Sequence, residues 1–125
     1  MEPQLFVAVA IACGIASVAR YGLSLLAPAD RFPWPTIAVN TAGTALLASS
    51  LALYEDGHLG AAAFAVLGVG LAGGLTTFST LAVDAARLWR AGKRGSSGVY
   101  LALTLGCGLA ASWIAWTATV AALGT

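Results

Sequence analysis

Charge is scarce in this chain. Of 125 residues only six are Lys or Arg and five Asp or Glu, 9% in all, against roughly 25% in a soluble domain. A formal net charge of +1 lacks the basic footprint of a nucleic-acid binder, so no nucleic-acid partner is expected. His58 is the single histidine, placed in a turn and expected to lie far from any Ser or Asp partner. There is no Walker sequence, no G-x-G-x-x-G after a strand and no metal-ligand cluster, so nothing points to an enzyme. Cys13 and Cys107 sit in apolar runs and read as inert core residues rather than as a disulfide or metal site. The opening Met1-Glu2-Pro3 has no basic region, and a signal peptide is not expected.

What the chain has instead is apolar length: 59% of its residues are hydrophobic. No uncharged run carries the polar face needed to lie on a membrane surface, so the runs are read as spans. An all-α, multi-pass membrane protein follows, a single four-helix domain over 1–125. Leu5 to Ala29 is apolar except for Arg20, giving a first span at about 5–27. Pro28, Asp30, Arg31, Pro33 and Pro35 mark a loop. The second span covers about 36–54, the polar Glu55–His58 turn follows, and the third covers about 59–89. Arg90, Lys93 and Arg94 with Gly95-Ser96-Ser97-Gly98 form a third loop before a fourth span at about 99–123. Trp34, Tyr54, Trp89 and Tyr100 fall near span ends, where interfacial aromatics anchor.

The third span is unlike the others. Near its middle stands Gly73-Gly74-Leu75-Thr76-Thr77-Phe78-Ser79-Thr80, two adjacent glycines and four hydroxyls. Glycine weakens a helix, and Ser and Thr compete for its backbone bonds. The stretch therefore predicts a helix broken at membrane depth over about 73–80, which requires protein or a water-filled path around the freed backbone. Such breaks hold ion sites; close packing of small residues with hydroxyls as glue is the plainer account. Thr76, Thr77, Ser79 and Thr80 offer hydroxyls to an anion, and the unwound backbone offers carbonyls to a cation. Phe78 among them has a positive ring edge that a small anion can meet. Arg20 is a cation inside the first span, at a cost of about 2.5–3.5 kcal/mol, so it needs a partner or must snorkel. Asn40, one turn into the second span, needs hydrogen-bond partners too. Asp84 and Arg87 stand at i, i+3 and are placed to pair. Four short helices leave little room for a hydrated path, so a path would lie at a subunit interface.

These residues resemble the Fluc (CrcB) family of small bacterial fluoride channels over almost the whole chain. The Gly73–Thr80 stretch is similar to the family's broken third helix, Gly14 through Arg20-Tyr21 to its first-helix motif, and Thr36 through Gly43 to its second. The resemblance implies an antiparallel, dual-topology dimer with two pores in the bacterial inner (plasma) membrane. It also implies passive fluoride efflux and a structural, untransported sodium ion. Sodium would be held by the backbone carbonyls of Gly73 and Thr76. The fluoride path would use Asn40, Phe78, Ser79 and Thr80, with Tyr100 matching a fourth-helix tyrosine; Arg20 would be structural. Leu81 stands where the family has a second phenylalanine, and Asp84 where it often has glutamate. The loops are also biased, with Arg31, Arg90, Lys93 and Arg94 on one side, so a homodimer and a heterodimer with an oppositely oriented homologue both stay open. Two other classes compete. A four-helix multidrug exporter needs a membrane-embedded carboxylate, which the first span lacks. A non-conducting subunit of a heteromeric channel would explain Leu81 but not the intact break.

Overall fold

Two glycines turn this chain back on itself. Gly57 and Gly92 both have φ +79°, the left-handed conformation that costs glycine nothing. After each, the next amide reaches back five residues: His58 N–H to the Leu53 carbonyl and Lys93 N–H to Leu88, both at 2.9 Å. The glycine amides bond Tyr54 and Trp89 at 3.1 Å. These are paired Schellman closures, which satisfy the last carbonyls of a helix and reverse the chain within a few residues.

The structure is a computed structural model that describes residues 1–28 and 31–124; the expected first-loop residue Asp30 and the end of the first apolar run, Ala29, lie outside them. Helix α1 is Pro3–Ser24, with proline in the first turn where its missing N–H costs nothing. Helix α2 is Trp34–Glu55, again with a proline in its first turn. Helix α3 covers 61–75: an α-helical Ala61–Phe64, a π-helical Ala65–Ala72 and a last turn Gly73–Leu75. Helix α4 is Phe78–Arg90 and α5 is Arg94–Ala122. Taking α3 and α4 as one unit, four helical segments among the described residues are long and apolar enough to cross a membrane. The fold is all-helical, up-down-up-down.

Gly95–Gly98, expected in a loop, instead forms the first turn of α5. The closure at Gly92 needs no longer connection, and the Ser97 hydroxyl donates to the buried Ala85 carbonyl at 2.8 Å, holding α5 on α4. The core lies at this end: Ile37, Leu81, Ala85, Leu88 and Tyr100, with Phe32, Leu103 and Cys107 packed against it. Elsewhere the helices meet through small residues. A Cβ on Gly74 would run into the Cys13 backbone, one on Gly43 into the Thr76 side chain, and one on Gly70 into Ala12 and the Val9 carbonyl. Phe6, Ile11, Ile15 and Val18 of α1 and Leu105, Leu109 and Trp113 of α5 face outward, an apolar surface suited to lipid or a partner.

The charges are polarised. Arg31, Arg87, Arg90, Lys93 and Arg94 all belong to the end where α1 and α4 finish; Glu2, Glu55 and Asp56 belong to the other. At that acidic end His58 Nδ1 lies 2.9 Å from Asp56 Oδ2. The histidine therefore has the aspartate partner that its sequence position was not expected to supply, because the Gly57 turn folds it back over its neighbour.

Candidate functional site

The helix breaks at Thr76 and Thr77. Both have extended backbones, with φ −79°, ψ 151° and φ −152°, ψ 122°. Two extended residues cannot continue the helical ladder, so the groups around them need other partners. Thr77 finds them in Asn40. Its N–H donates to Asn40 Oδ1 at 2.7 Å, and Asn40 Nδ2 donates to its carbonyl at 3.1 Å. One buried amide thus takes both backbone groups of a single residue, as a neighbouring strand would. Thr77 also caps α4, its hydroxyl accepting the Thr80 N–H at 3.2 Å.

On the other side of the break the Gly74 carbonyl accepts from Arg20 Nε at 3.1 Å and from the Ser17 hydroxyl at 3.3 Å. Arg20 therefore has a partner inside the bundle, and its cation sits at the carbonyl end of α3, the end a helix dipole makes negative. Gly74 can receive it because α1 lies against the glycine backbone at Cys13.

Gly73 and Thr76 differ from Gly74. Giving the Thr77 N–H to Asn40 deprives the Gly73 carbonyl of its helical donor. Among the described residues it meets only the Thr76 hydroxyl, at 3.4 Å, and the Thr76 carbonyl meets no donor. Gly73 is exposed on the surface of this chain. Neutral carbonyl oxygens short of donors can serve a monovalent cation; Gly73 and Thr76 are the two residues expected to hold sodium.

The other expected residues divide between two sides of the break. Phe78 is 81% exposed and, with Asn40, Thr76 and Thr77, lines an open cleft of about 390 Å³ that continues past Thr104 to Ser112 on α5. Thr80 lines the opposite side. There a small cavity of about 80 Å³ holds Arg20, Thr36, Thr77 and Thr80, and a wider one of about 390 Å³ runs past Thr36, Thr80 and Asp84 to Arg31 and Arg87. Thr77 lines both the cleft and the small cavity, and its partner Asn40 lines the cleft. Ser79 is exposed, its hydroxyl 3.4 Å from that of Thr77, which also donates to Thr80 Oγ1 at 3.1 Å.

Two expectations are corrected. Asp84 does not pair with Arg87: its Oδ2 accepts from the Thr36 hydroxyl at 2.9 Å and from Tyr100 Oη at 3.0 Å. The i, i+3 spacing allows a surface pair, but Asp84 points to α2 and α5, where two hydroxyls replace its water. Tyr100 is not an interfacial anchor but, among the described residues, the one large side chain with no exposure, its ring edge-on to Phe32 at 5.7 Å. Trp34 and Trp89 stay exposed as anchors would. Sequence reasoning missed Ser17, Thr36, Thr104 and Ser112. All are ordinary helix-interior hydroxyls, and only Thr36 carried a signal, as the first residue of the second motif.

A sequence model of the family described as CrcB-like protein, Camphor Resistance (CrcB), matches residues 7–116. The chain is 38% identical to a protein of Streptomyces coelicolor named fluoride-specific ion channel FluC 1, over 88% of this chain and 74% of that one. It is 38% identical to a fluoride-specific ion channel FluC of Thermus thermophilus, over 87% and 88%. It is 35% identical to fluoride-specific ion channel FluC 2 of Geobacillus kaustophilus, over 92% of each.

Proposed function

The chain belongs to the CrcB family, a multi-pass membrane protein and not an enzyme, and from that premise we propose that it is a fluoride-selective channel in the inner membrane. In this reading it carries fluoride passively out of the cytoplasm. The observation that supports it best is the pinned break, where a single asparagine holds a non-helical peptide whose threonine lines both a small cavity with Arg20, Thr36 and Thr80 and a mainly apolar cleft with Phe78. Fluoride holds its water tightly, so a path must offer close donors in place of that shell. From the basic end the ion would meet Arg31 and Arg87, then the hydroxyls of Thr36 and Thr80, then the small cavity with Arg20 and Thr77. Beyond Asn40 it would enter the cleft with the Phe78 ring, Thr104 and Ser112. Asn40 Nδ2 has a second N–H that the Thr77 carbonyl does not use, and this is the donor it can offer. Hydroxyls and ring edges bind a small anion without a deep well, which conduction requires.

Sodium, on this proposal, is structural. The Gly73 and Thr76 carbonyls of two subunits would give four hard oxygens, and the ion's charge would compensate the carbonyl-rich end of α3. Phe78, 81% exposed in one chain, would be covered in an antiparallel dimer.

A heterodimer has two specific supports. The basic residues lie at one end, which favours one orientation. Leu81 is 6% exposed and packed into this subunit's own core, so it offers no second ring to a pore. A multidrug exporter is disfavoured because Asp84, the carboxylate within the spans, is occupied by Thr36 and Tyr100. The test is fluoride efflux from liposomes holding this protein alone, and then with an oppositely biased homologue. Fluoride release without chloride release is expected in at least one preparation; none in either would remove the channel reading. Robust release from the protein alone would favour the homodimer.

A further inference from the structure

A hydroxyl inside a helix commonly bonds a carbonyl of its own helix three or four residues back. Thr44, Ser50, Thr104 and Thr119 all do so. Ser17 does not. The carbonyl four residues before it, that of Cys13, is pressed against the Gly74 backbone. Its hydroxyl donates instead to the Gly74 carbonyl, 57 positions away, at 3.3 Å. Arg20 Nε donates to the same oxygen at 3.1 Å. A carbonyl oxygen has two lone pairs, so these two donors from α1 fill it. The guanidinium carries five N–H groups in a planar fork, and among the described residues those on its two Nη atoms have no partner. Arg20 lines the small cavity of about 80 Å³ with Thr36, Thr77 and Thr80, and no carboxylate lines it among the described residues. Thr36 and Thr77 have already given their hydroxyl hydrogens, to Asp84 and to Thr80. The unused N–H groups of Arg20 are therefore the strongest donors on that wall. Ser17 is not on it.

We propose that Ser17 is a positioning residue for the anion: by filling the second lone pair of the Gly74 carbonyl, it keeps the Nη groups of Arg20 for the ion in this cavity. Without the Ser17 hydroxyl that lone pair is open. The guanidinium can then turn until Nε and one Nη both aim at the single oxygen. The Gly74 carbonyl attracts it strongly, because it belongs to the end of α3 that the helix dipole makes negative. An N–H captured there is lost to the anion. The two donors thus act against each other, and Ser17 limits how tightly α3 holds Arg20. Arg20 stays inside the bundle in either case, since Nε keeps its bond. Ser17 touches no ion and acts only through Arg20. The inference rests on the fluoride-channel reading and goes beyond it, because it gives a role to a hydroxyl outside the path.

The test is NMR of the arginine side-chain N–H groups in the full-length protein in detergent, titrated with sodium fluoride against sodium gluconate at constant ionic strength. Arg20→Lys identifies the Arg20 signals by their loss. In the parent those signals should move with fluoride. Ser17→Ala should shift the Arg20 Nε signal before fluoride is added and raise the fluoride midpoint at Arg20 about three- to tenfold, the effect of one hydrogen bond. Ser17→Thr, which keeps the hydroxyl, should restore both. A merely structural role would lower the unfolding temperature of Ser17→Ala and leave the midpoint where it was. Equal midpoints in the parent and Ser17→Ala overturn the proposal. So does a folded Ser17→Thr that behaves like Ser17→Ala, and so does a parent whose Arg20 signals ignore fluoride. Efflux from liposomes separates the two readings. Any of those results in a preparation that releases fluoride removes the role of Ser17 and leaves the channel; no release, alone or with the homologue, removes both.

Discussion

Removing the Asn40 amide should damage the protein in two separable ways. Asn40 is 9% exposed and makes two hydrogen bonds to Thr77, at 2.7 and 3.1 Å. Asn40→Ala leaves a part-buried N–H and a part-buried carbonyl of Thr77 without these partners. Each unsatisfied group costs about 1–3 kcal/mol, and water entering from the adjoining cleft recovers part of it, so a net loss of about 2–4 kcal/mol is expected. Asn40→Asp is different. It keeps an acceptor for the Thr77 N–H, loses the donor to the carbonyl, and puts a negative charge beside the proposed ion path. A fluoride ion passing at about 4 Å would meet about 4 kcal/mol of repulsion at an effective dielectric constant near 20, close to a thousandfold in rate. The assays are thermal unfolding in detergent and electrode-recorded fluoride efflux from liposomes, with size-exclusion elution as the check on assembly. Efflux from Asn40→Asp within twofold of the parent, with normal assembly, would take Asn40 off the path. Unchanged unfolding of Asn40→Ala would show that the pair does not hold the break.

Other consequences follow from the same geometry. Gly74→Ala should lower the unfolding free energy by about 1–3 kcal/mol in thermal melts, because its methyl meets Cys13 backbone that cannot yield; Gly14→Ala, with open space around it, should not. Thr41 has a buried hydroxyl without a partner, so the nearly isosteric Thr41→Val should raise stability by about 1 kcal/mol in the same melts. Replacing sodium with a large organic cation should weaken dimerisation and reduce fluoride flux, while Thr76→Ser, which keeps the carbonyl and the hydroxyl, should leave both near the parent values. Indifference of assembly and flux to the cation would end the sodium assignment.

Much of the fold was legible because lipid demands long uncharged runs, and charge is rare enough here for those runs to stand out. The break was legible too: Gly73-Gly74 followed by four hydroxyls within six residues weakens a helix, although close helix packing would use the same residue types. Its point of rupture, Thr76–Thr77, was not, since it depends on an asparagine 37 positions away. The inward turn of Asp84 was hidden for a similar reason. An i, i+3 spacing says which residues share a helix face, not whether that face meets water or two hydroxyls from other helices. Gly95–Gly98 looked like a loop because small polar residues make loops, yet on α5 they bring two helices close enough for Ser97 to reach Ala85. The π-helical turns at Ala65–Ala72 left no mark, since Ala, Val, Leu and Gly fit either winding.

Where a membrane helix is interrupted, one expects a hinge. Here the interruption is held by Asn40 at Thr77, by Arg20 and Ser17 at Gly74, and by α1 backbone pressed against that same glycine. Swinging α4 relative to α3 would break bonds to two other helices at once. Such a joint suits a fixed aperture better than a machine that alternates between inward and outward states. In the proposed role no fuel would drive it and no lever would shut it. Flow would follow the gradient, and a cell would adjust that flow chiefly by how many copies it makes.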